Sequence, residues 1–379
     1  MKSHWEQIKL ADLFELQMGK TPAREKDQYW KNGDNKWVSI ADIGKFLRYT
    51  DETKEKITDI AISESGIKQV PKNTLIMSFK LSLGKVAITS ETIYTNEAIM
   101  AFIDRKKRPL SLSFLFHLFK NKDWSAGTNK AVLGMTLNKA TLKEISIPVP
   151  PLLEQEEIAQ KLDAVCRLIT LRKQQLQKLD QLASSRFIEM FGNPFENPRE
   201  WSIISIGTII QHANNGMTRR GNDEAGNIVL RLVELQAGFL DYTNPNRIIL
   251  TKQESERFLL KENDFLFARV NGNPENVGRC TYFKELSEPV YHNDHIIRVQ
   301  FKEQTISSEY LQHLLNSPYG RSEMRNKIKT SAGQYTINQE GIGGIRIPLP
   351  PLELQNEFAA FVEQLDKSKL ADQTYGVAA

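Results

Sequence analysis

The sequence has only two cysteines in 379 residues, Cys166 and Cys280, too few for a disulfide framework. Cys166 falls within a helical pattern and Cys280 within a strand pattern, so both are expected to be reduced core thiols. No run of 18 apolar residues is present, so no segment reads as a membrane-spanning helix. The start, MKSHWEQIKL, lacks the apolar stretch of a signal peptide, and a cytoplasmic location is expected. An excess of charge of one sign is also missing: 50 Lys and Arg stand against 46 Asp and Glu, a formal +4. That balance permits nucleic-acid binding without requiring it, because the clustering of charge decides. P-loop, HExxH, Cys-x-x-Cys and Gly-x-Ser-x-Gly motifs are all absent, which leaves ATPase or nuclease chemistry without a recognisable site. The composition itself, 40% hydrophobic and 25% charged, is that of a globular chain long enough for two or three domains.

The sequence does contain itself twice. EISIPVPPLLEQEEIAQKLDAV, from Glu144, returns 200 residues later as GIRIPLPPLELQNEFAAFVEQL, from Gly344. Thr136, Leu137 and Asn138 face Thr336, Ile337 and Asn338 at the same offset. Upstream the likeness persists at drifting offsets: GKFLRYTD with AGFLDYTN, YTNEAI with YHNDHI, SFLFHLF with EYLQHLL, and Trp5 with Trp201 opening the two halves. Each half reads as a mixed α/β module, with β-rich runs (TLIMSF, KVAIT, DFLFARV, HIIRVQF) between Gly, Asn and Pro turns. Each module then leaves through an extended Ile-x-Ile-Pro-x-Pro-Pro strap, since proline fixes φ and keeps its predecessor out of the α region.

After the strap the apolar period changes to three and a half. Ile158, Leu162, Val165, Ile169, Leu176, Leu179, Ala183 and Met190 mark a coiled-coil stripe, interrupted by Arg172 and Arg186. One helix over 152–191 is predicted, roughly 55 to 60 Å long, with acids in its first turns and Gly192 and Pro194 at its end. Phe358, Val362 and Leu365 begin the same stripe in a shorter helix over 352–371, followed by a tail, 372–379, expected to be disordered. The two helices are expected to pair antiparallel about a pseudo-twofold axis, between a module at 1–151 and another at 192–351. From about Leu176 onward the seam is then covered. Ile158, Leu162, Val165 and Ile169 are left for a partner subunit or a second copy of the chain.

This order of module, Ile-Pro-x-Pro-Pro-Leu strap, long helix, second module, repeated strap and shorter helix resembles the DNA specificity subunit of type I restriction-modification systems over essentially the whole chain. The resemblance implies two target-recognition domains reading two halves of a bipartite site in double-stranded DNA. It also implies spacer helices that bind two modification (methyltransferase) subunits, with restriction subunits joining them. Such a chain performs no chemistry; S-adenosylmethionine and ATP belong to its partners.

Candidate DNA-contacting residues lie in Gly/Asn-rich loops that carry Arg or Lys. The second module offers Asn214, Asn215, Arg219 and Arg220, then Arg269, Asn271, Asn273, Asn276 and Arg279. The first supplies Lys20, Thr21, Arg24, Lys80, Ser82 and Lys85 in the matching places. Before the straps come Asn129 and Lys130 in one copy and Lys329, Ser331, Gln334 and Tyr335 in the other. Arginine can grip guanine O6 and N7, and asparagine suits adenine N6 and N7. Two other classes compete. An adenine methyltransferase would read GNPFENP as its base-holding motif, but Phe195 occupies the place of the second proline and no Gly-rich cofactor loop precedes it. A coiled-coil scaffold would make the basic Asn/Gly loops accidental. His292 and His295, three apart on a strand, point to opposite faces and do not converge on a metal. Tyr94, Asn96, Glu97 and Ile99 recur as Tyr291, Asn293, Asp294 and Ile296, which predicts a shared structural hydrogen-bonding unit. His117 and His313 match each other on helices and are expected to be capping or packing residues rather than general bases.

Overall fold

A computed structural model of the chain describes residues 5–80, 82–124, 129–131, 134–331 and 333–374. Two compact units, Met1–Leu171 and Arg172–Ala379, divide inside one long helix, Leu152–Phe191. Each unit holds one copy of the duplicated module, and the copies match strand for strand in their two main sheets. In unit 1 four antiparallel strands lie in the order Phe14–Met18, Ile99–Asp104, Leu75–Ser78, Val86–Ile88. In unit 2 the order is Ile210–Asn215, Ile296–Phe301, Phe265–Ala268, Cys280–Tyr282. A smaller sheet repeats too: Glu55–Ile57, Asn35–Val38, Tyr94–Thr95 in one unit, Arg247–Ile248, Asn227–Leu230, Val290–His292 in the other. Each of these contains one parallel pairing. Strands Leu75–Ser78 and Phe265–Ala268 are buried along their whole length, which is why LIMS and FLFA are continuous rather than alternating.

A helix packs on each large sheet. In unit 1 Leu112–Asn121 brings Phe119 edge-on to Phe14 and Phe102, at 6.4 and 4.9 Å between ring centres. In unit 2 Ser308–Asn316 buries Tyr310, whose hydroxyl donates to Pro348 O at 2.8 Å.

The first and last strands of each module close it. Glu6–Lys9 pairs with Ser146–Val149, and Ser202–Ser205 with Arg346–Leu349, both antiparallel. The straps are poor in N–H groups but leave a carbonyl to satisfy at the exit. Gln155 and Gln355, both fully buried, do this: each donates Nε2 to the carbonyl of Pro150 or Pro350 at 2.8 Å. Their Oε1 atoms accept the N–H of Ser111 and Ser307, also at 2.8 Å. Those serines precede the packing helices, so one side chain bolts strap, spacer and module helix together. This accounts for the glutamine that recurs in EQEE and LQNE.

The long helix has 40 residues. Gly192, at φ +79°, ends it by donating its N–H to Ile188 O at 2.8 Å. A Cβ there would lie 2.6 Å from Pro198 Cγ, so GNPFENP is a helix-ending turn that only glycine can open. The C-terminal helix is Leu352–Thr374, and so runs past the end expected at 371. Asp372, Gln373 and Thr374, assigned to a disordered tail, are helical, because ADQT holds no helix breaker. Residues 375–379 lie outside the described ones.

Within unit 2 the two helices pair antiparallel. Phe187, Met190 and Phe191 share a core with Phe358 and Val362, and Leu365 is buried beyond them. Leu176 and Leu179 are half-buried and Ala183 is buried. The arginines that interrupt the stripe reach across the seam: Arg186 to Glu357 at 3.1 Å, and Arg172 Nη2 to Lys369 O at 2.7 Å. Lys369 in turn meets Asp180 at 3.0 Å. In unit 1 the same stripe is mostly bare. Leu162, Val165 and Ile169 are 38%, 51% and 51% exposed. Ile158 is a correction: it does not await a partner but packs on the unit 1 core beside buried Ala159. Cys166 is a second correction, being exposed, because it lies on the stretch of the helix where even the stripe residues Val165 and Ile169 are bare. Cys280 is buried, and burial pushes its thiol pKa up. Among the described residues, no helix is long and apolar enough to cross a membrane, and no His/Cys/Asp/Glu cluster could hold a metal.

Candidate nucleic-acid interface

In both modules the end of the first sheet strand crosses a tight turn in van der Waals contact. The turn is the repeated Tyr-x-Asn-acid unit: Asn96 Oδ1 accepts the N–H of Ala98 at 3.0 Å, and Asn293 Oδ1 that of His295 at 3.1 Å. Gly19 and Gly216 lie against it. A Cβ on either would come within 2.2 Å of a carbonyl oxygen, Thr95 O or His292 O. Glycine is therefore dictated by close backbone approach, and the residues that follow it emerge over the turn. In unit 1 Thr21 donates to Glu97; in unit 2 Arg220 Nη2 meets Asp294 Oδ1 at 2.7 Å.

The remaining first-module candidates are largely engaged. Lys20 Nζ donates to Ser65 O at 2.5 Å, and Arg24 forks onto Glu55 while stacking 3.9 Å above the Trp30 ring. Lys80 sits over Phe79, and Lys85 donates its backbone N–H to Ser78 Oγ, which itself donates to Ser82 O. The side chains of Asn129 and Lys130, and of Ser331 in the second module, lie outside the described ones.

In the second module Arg219 forks onto Glu254 at 2.9 and 2.7 Å. That contact, with the N–H of Thr251, holds the Glu254 carboxyl pKa down at about 2. Arg269 Nη1 donates to Asp294 O at 2.9 Å and Arg279 Nη2 to Leu232 O at 2.8 Å, so both brace loops. Asn271 and Asn273 shape their own turn by accepting the N–H of Asn273 and Glu275, and Asn276 Nδ2 reaches back to Asn271. Lys329 and Gln334 are exposed on the hairpin Lys329–Ser331/Gln334–Thr336, with Tyr335 half-buried beneath.

Asn214, Asn215 and Arg219 come together in unit 2 along a cleft of about 680 Å³. Three of its lining residues escaped the sequence reading: His212, Arg257 and Gln339. Arg257 closes a short helix, Lys252–Phe258, whose capping box reads as ordinary surface structure. Gln339 follows the helix cap Asn338 and reaches Asn215 Oδ1 at 3.4 Å. Only its place in the internal repeat, opposite Lys139, could have singled it out.

A family model described as the type I restriction modification DNA specificity domain matches residues 2–181 and again 198–374. The chain belongs to that family. The specificity subunit of the type I restriction enzyme StySPI of Salmonella potsdam is 30% identical over 277 residues, covering 69% of this chain and 60% of the relative. That of EcoKI from Escherichia coli K12 is 27% identical over 278 residues with the same coverage. The chain thus spans about 60% of the length of these two specificity subunits. The MjaVIII specificity subunit of Methanocaldococcus jannaschii is 23% identical over 385 residues, covering 96% of this chain and 86% of the relative. The crystal structure of an S subunit from M. genitalium shares the fold, with a TM-score of 0.59 at 15% identity, covering 99% of this chain and 92% of the other. The cleft of unit 2 gathers the amides of Asn214, Asn215 and Gln339 with the guanidinium groups of Arg219 and Arg257.

Proposed function

We propose that the chain is the DNA-reading subunit of a type I restriction-modification assembly. It binds double-stranded DNA through its two modules, each reading one half of a bipartite site, and directs methyltransferase and restriction subunits there. S-adenosylmethionine and ATP belong to those partners, and the assembly works in the cytoplasm. The observation that carries this reading is the duplication, in both main sheets, of a family-matched module whose loops diverge in sequence. Matching scaffolds with different loop side chains are what two unlike half-sites require. A purely structural scaffold would have no need for a donor-rich cleft at the strand ends.

The test is exchange of residues 201–344 for another such module, followed by methylome sequencing of a host carrying the assembly. One half-site is expected to change while the other stays. If both change, or neither does, the reading falls.

A further inference from the structure

Unit 2 carries a burden that unit 1 does without. On strand Ile296–Phe301, Arg298 stands opposite Asn214 on one side and Leu266 on the other, only 8% exposed. Unit 1 places Ala101 in that position, opposite Gln17 and Ile76 and fully buried. The same sheet in the same order therefore closes without arginine. A buried guanidinium is costly unless its donors are placed. Here they are placed from behind: Nη1 donates to Leu259 O at 2.6 Å and lies 3.6 Å from buried Asp264, itself held by the N–H of Lys261 and by Gln300. The Nε donor is then aimed at Asn214 Oδ1, at 2.9 Å.

That bond decides which way the Asn214 amide faces. A guanidinium donates and never accepts, so the atom turned toward it must be the oxygen. The Nδ2 hydrogens are left for the cleft that Asn214 lines. An asparagine reading adenine needs both its oxygen, for N6, and its nitrogen, for N7. With the oxygen turned inward, Asn214 offers donors alone.

Building on the reading of unit 2 as a DNA-recognition module, we infer that Arg298 is a positioning residue that makes Asn214 a pure hydrogen-bond donor, selecting guanine at one position of the half-site. Guanine presents two major-groove acceptors, O6 and N7, whereas adenine sets a donor beside its acceptor. This reverses, for Asn214, the adenine preference expected of asparagine in general.

The experiment uses the full chain assembled with its modification subunits and a panel of duplexes in which each base pair of the site is varied singly. Asn214→Asp keeps an oxygen facing Arg298, so the buried pair survives, but turns the outward group from donor to acceptor. Affinity for the native site is expected to fall about 10- to 100-fold. The loss should sit at one G·C pair, with preference there moving to a base that offers a donor. Arg298→Ala should relax the same position, and Arg298→Lys, which retains a donor, should partly restore it, with thermal unfolding followed alongside. Should Arg298→Ala fail to fold, Asn214→Asp decides alone. A uniform loss at every position with a shallower salt dependence would identify a phosphate contact and overturn the inference, as would unaltered preference throughout. If the module exchange moves one half-site while Asn214→Asp moves nothing, this inference fails and the DNA-reading role stands; if the exchange moves nothing, the role itself fails.

Discussion

Two copies of one stripe in different surroundings allow the same substitution chemistry to give opposite outcomes. Phe358 is fully buried, with the rings of Phe187, Phe191 and His313 at 5.4, 5.6 and 5.0 Å, all near edge-on. Truncating a core phenylalanine costs about 3 to 5 kcal/mol. Edge-to-face contacts add about 0.5 to 1.5 kcal/mol beyond area burial, which places Phe358→Ala near the top of that range, at about 4 to 5 kcal/mol. For a unit of this size each kcal/mol moves the unfolding midpoint by about 2 to 4 °C, so unit 2 should melt about 8 to 20 °C lower. Trp201, the single tryptophan of unit 2, donates its Nε1 to Phe191 O at 2.9 Å and reports on this seam by fluorescence. Val165, on the bare part of the stripe, is 51% exposed, and Val165→Ala should cost under about 0.5 kcal/mol. Thermal unfolding of both variants, with hydrogen exchange resolved by unit, checks the pair. A shift below about 4 °C for Phe358→Ala, or a shift of equal size for Val165→Ala, would refute the assignment of covered and bare seam.

Gln355→Leu should destabilise unit 2 by about 2 to 5 kcal/mol, since it orphans the buried N–H of Ser307 and carbonyl of Pro350; urea unfolding measures it. Burial, helped by Arg298, pulls the His292 pKa from 6.5 down to about 3, so the unfolded chain takes up the proton first. Stability from this group is therefore present above pH 6.5 and is lost as the pH falls toward 3, by up to about 1.4 kcal/mol per pH unit. His292→Gln should flatten the slope in that window relative to wild type. A thiol reagent should label Cys166 in the native chain and Cys280 only on unfolding, read by mass spectrometry. Because Glu254 already neutralises Arg219, Arg257→Ala should lower the slope of log affinity against log salt by about 0.9, and Arg219→Ala by less than half as much.

The duplication, the straps and the long helix were legible because their signals are local. Prolines fix φ wherever they stand, a seven-residue apolar period survives any context, and a 200-residue offset needs no structure to be seen. The turn built on Asn96 and Asn293 was legible for the same reason, its polar residues recurring in register. What escaped depends on contacts across the sheet. Glutamine within EQEE reads as a solvated first turn, yet Gln155 is buried because the strap carbonyls beside it lack donors. Arg298 sits in HIIRVQF as an outward-facing position of an edge strand would, and only the pairing with Asn214 reveals it as central and buried. The loop arginines read as free cations, but Arg219 and Arg220 meet acids 35 and 74 residues away, a distance no spacing rule covers.

The closure of each module by its own first and last strands has a topological consequence. In unit 2 the end of the long helix at Phe191 packs beside the start of the C-terminal helix near Phe358, and strands Ser202–Ser205 and Arg346–Leu349 run side by side between them. Seen from the helices, everything from 192 to 351 is one enormous loop inserted into a helical hairpin. The entropy of closing a loop rises only with the logarithm of its length, so the hairpin scarcely registers how long the insert is. Whole modules can then be recombined or lengthened at two neighbouring joints, so long as the newcomer keeps a helix that meets the seam as Tyr310 meets Phe187 and Phe191.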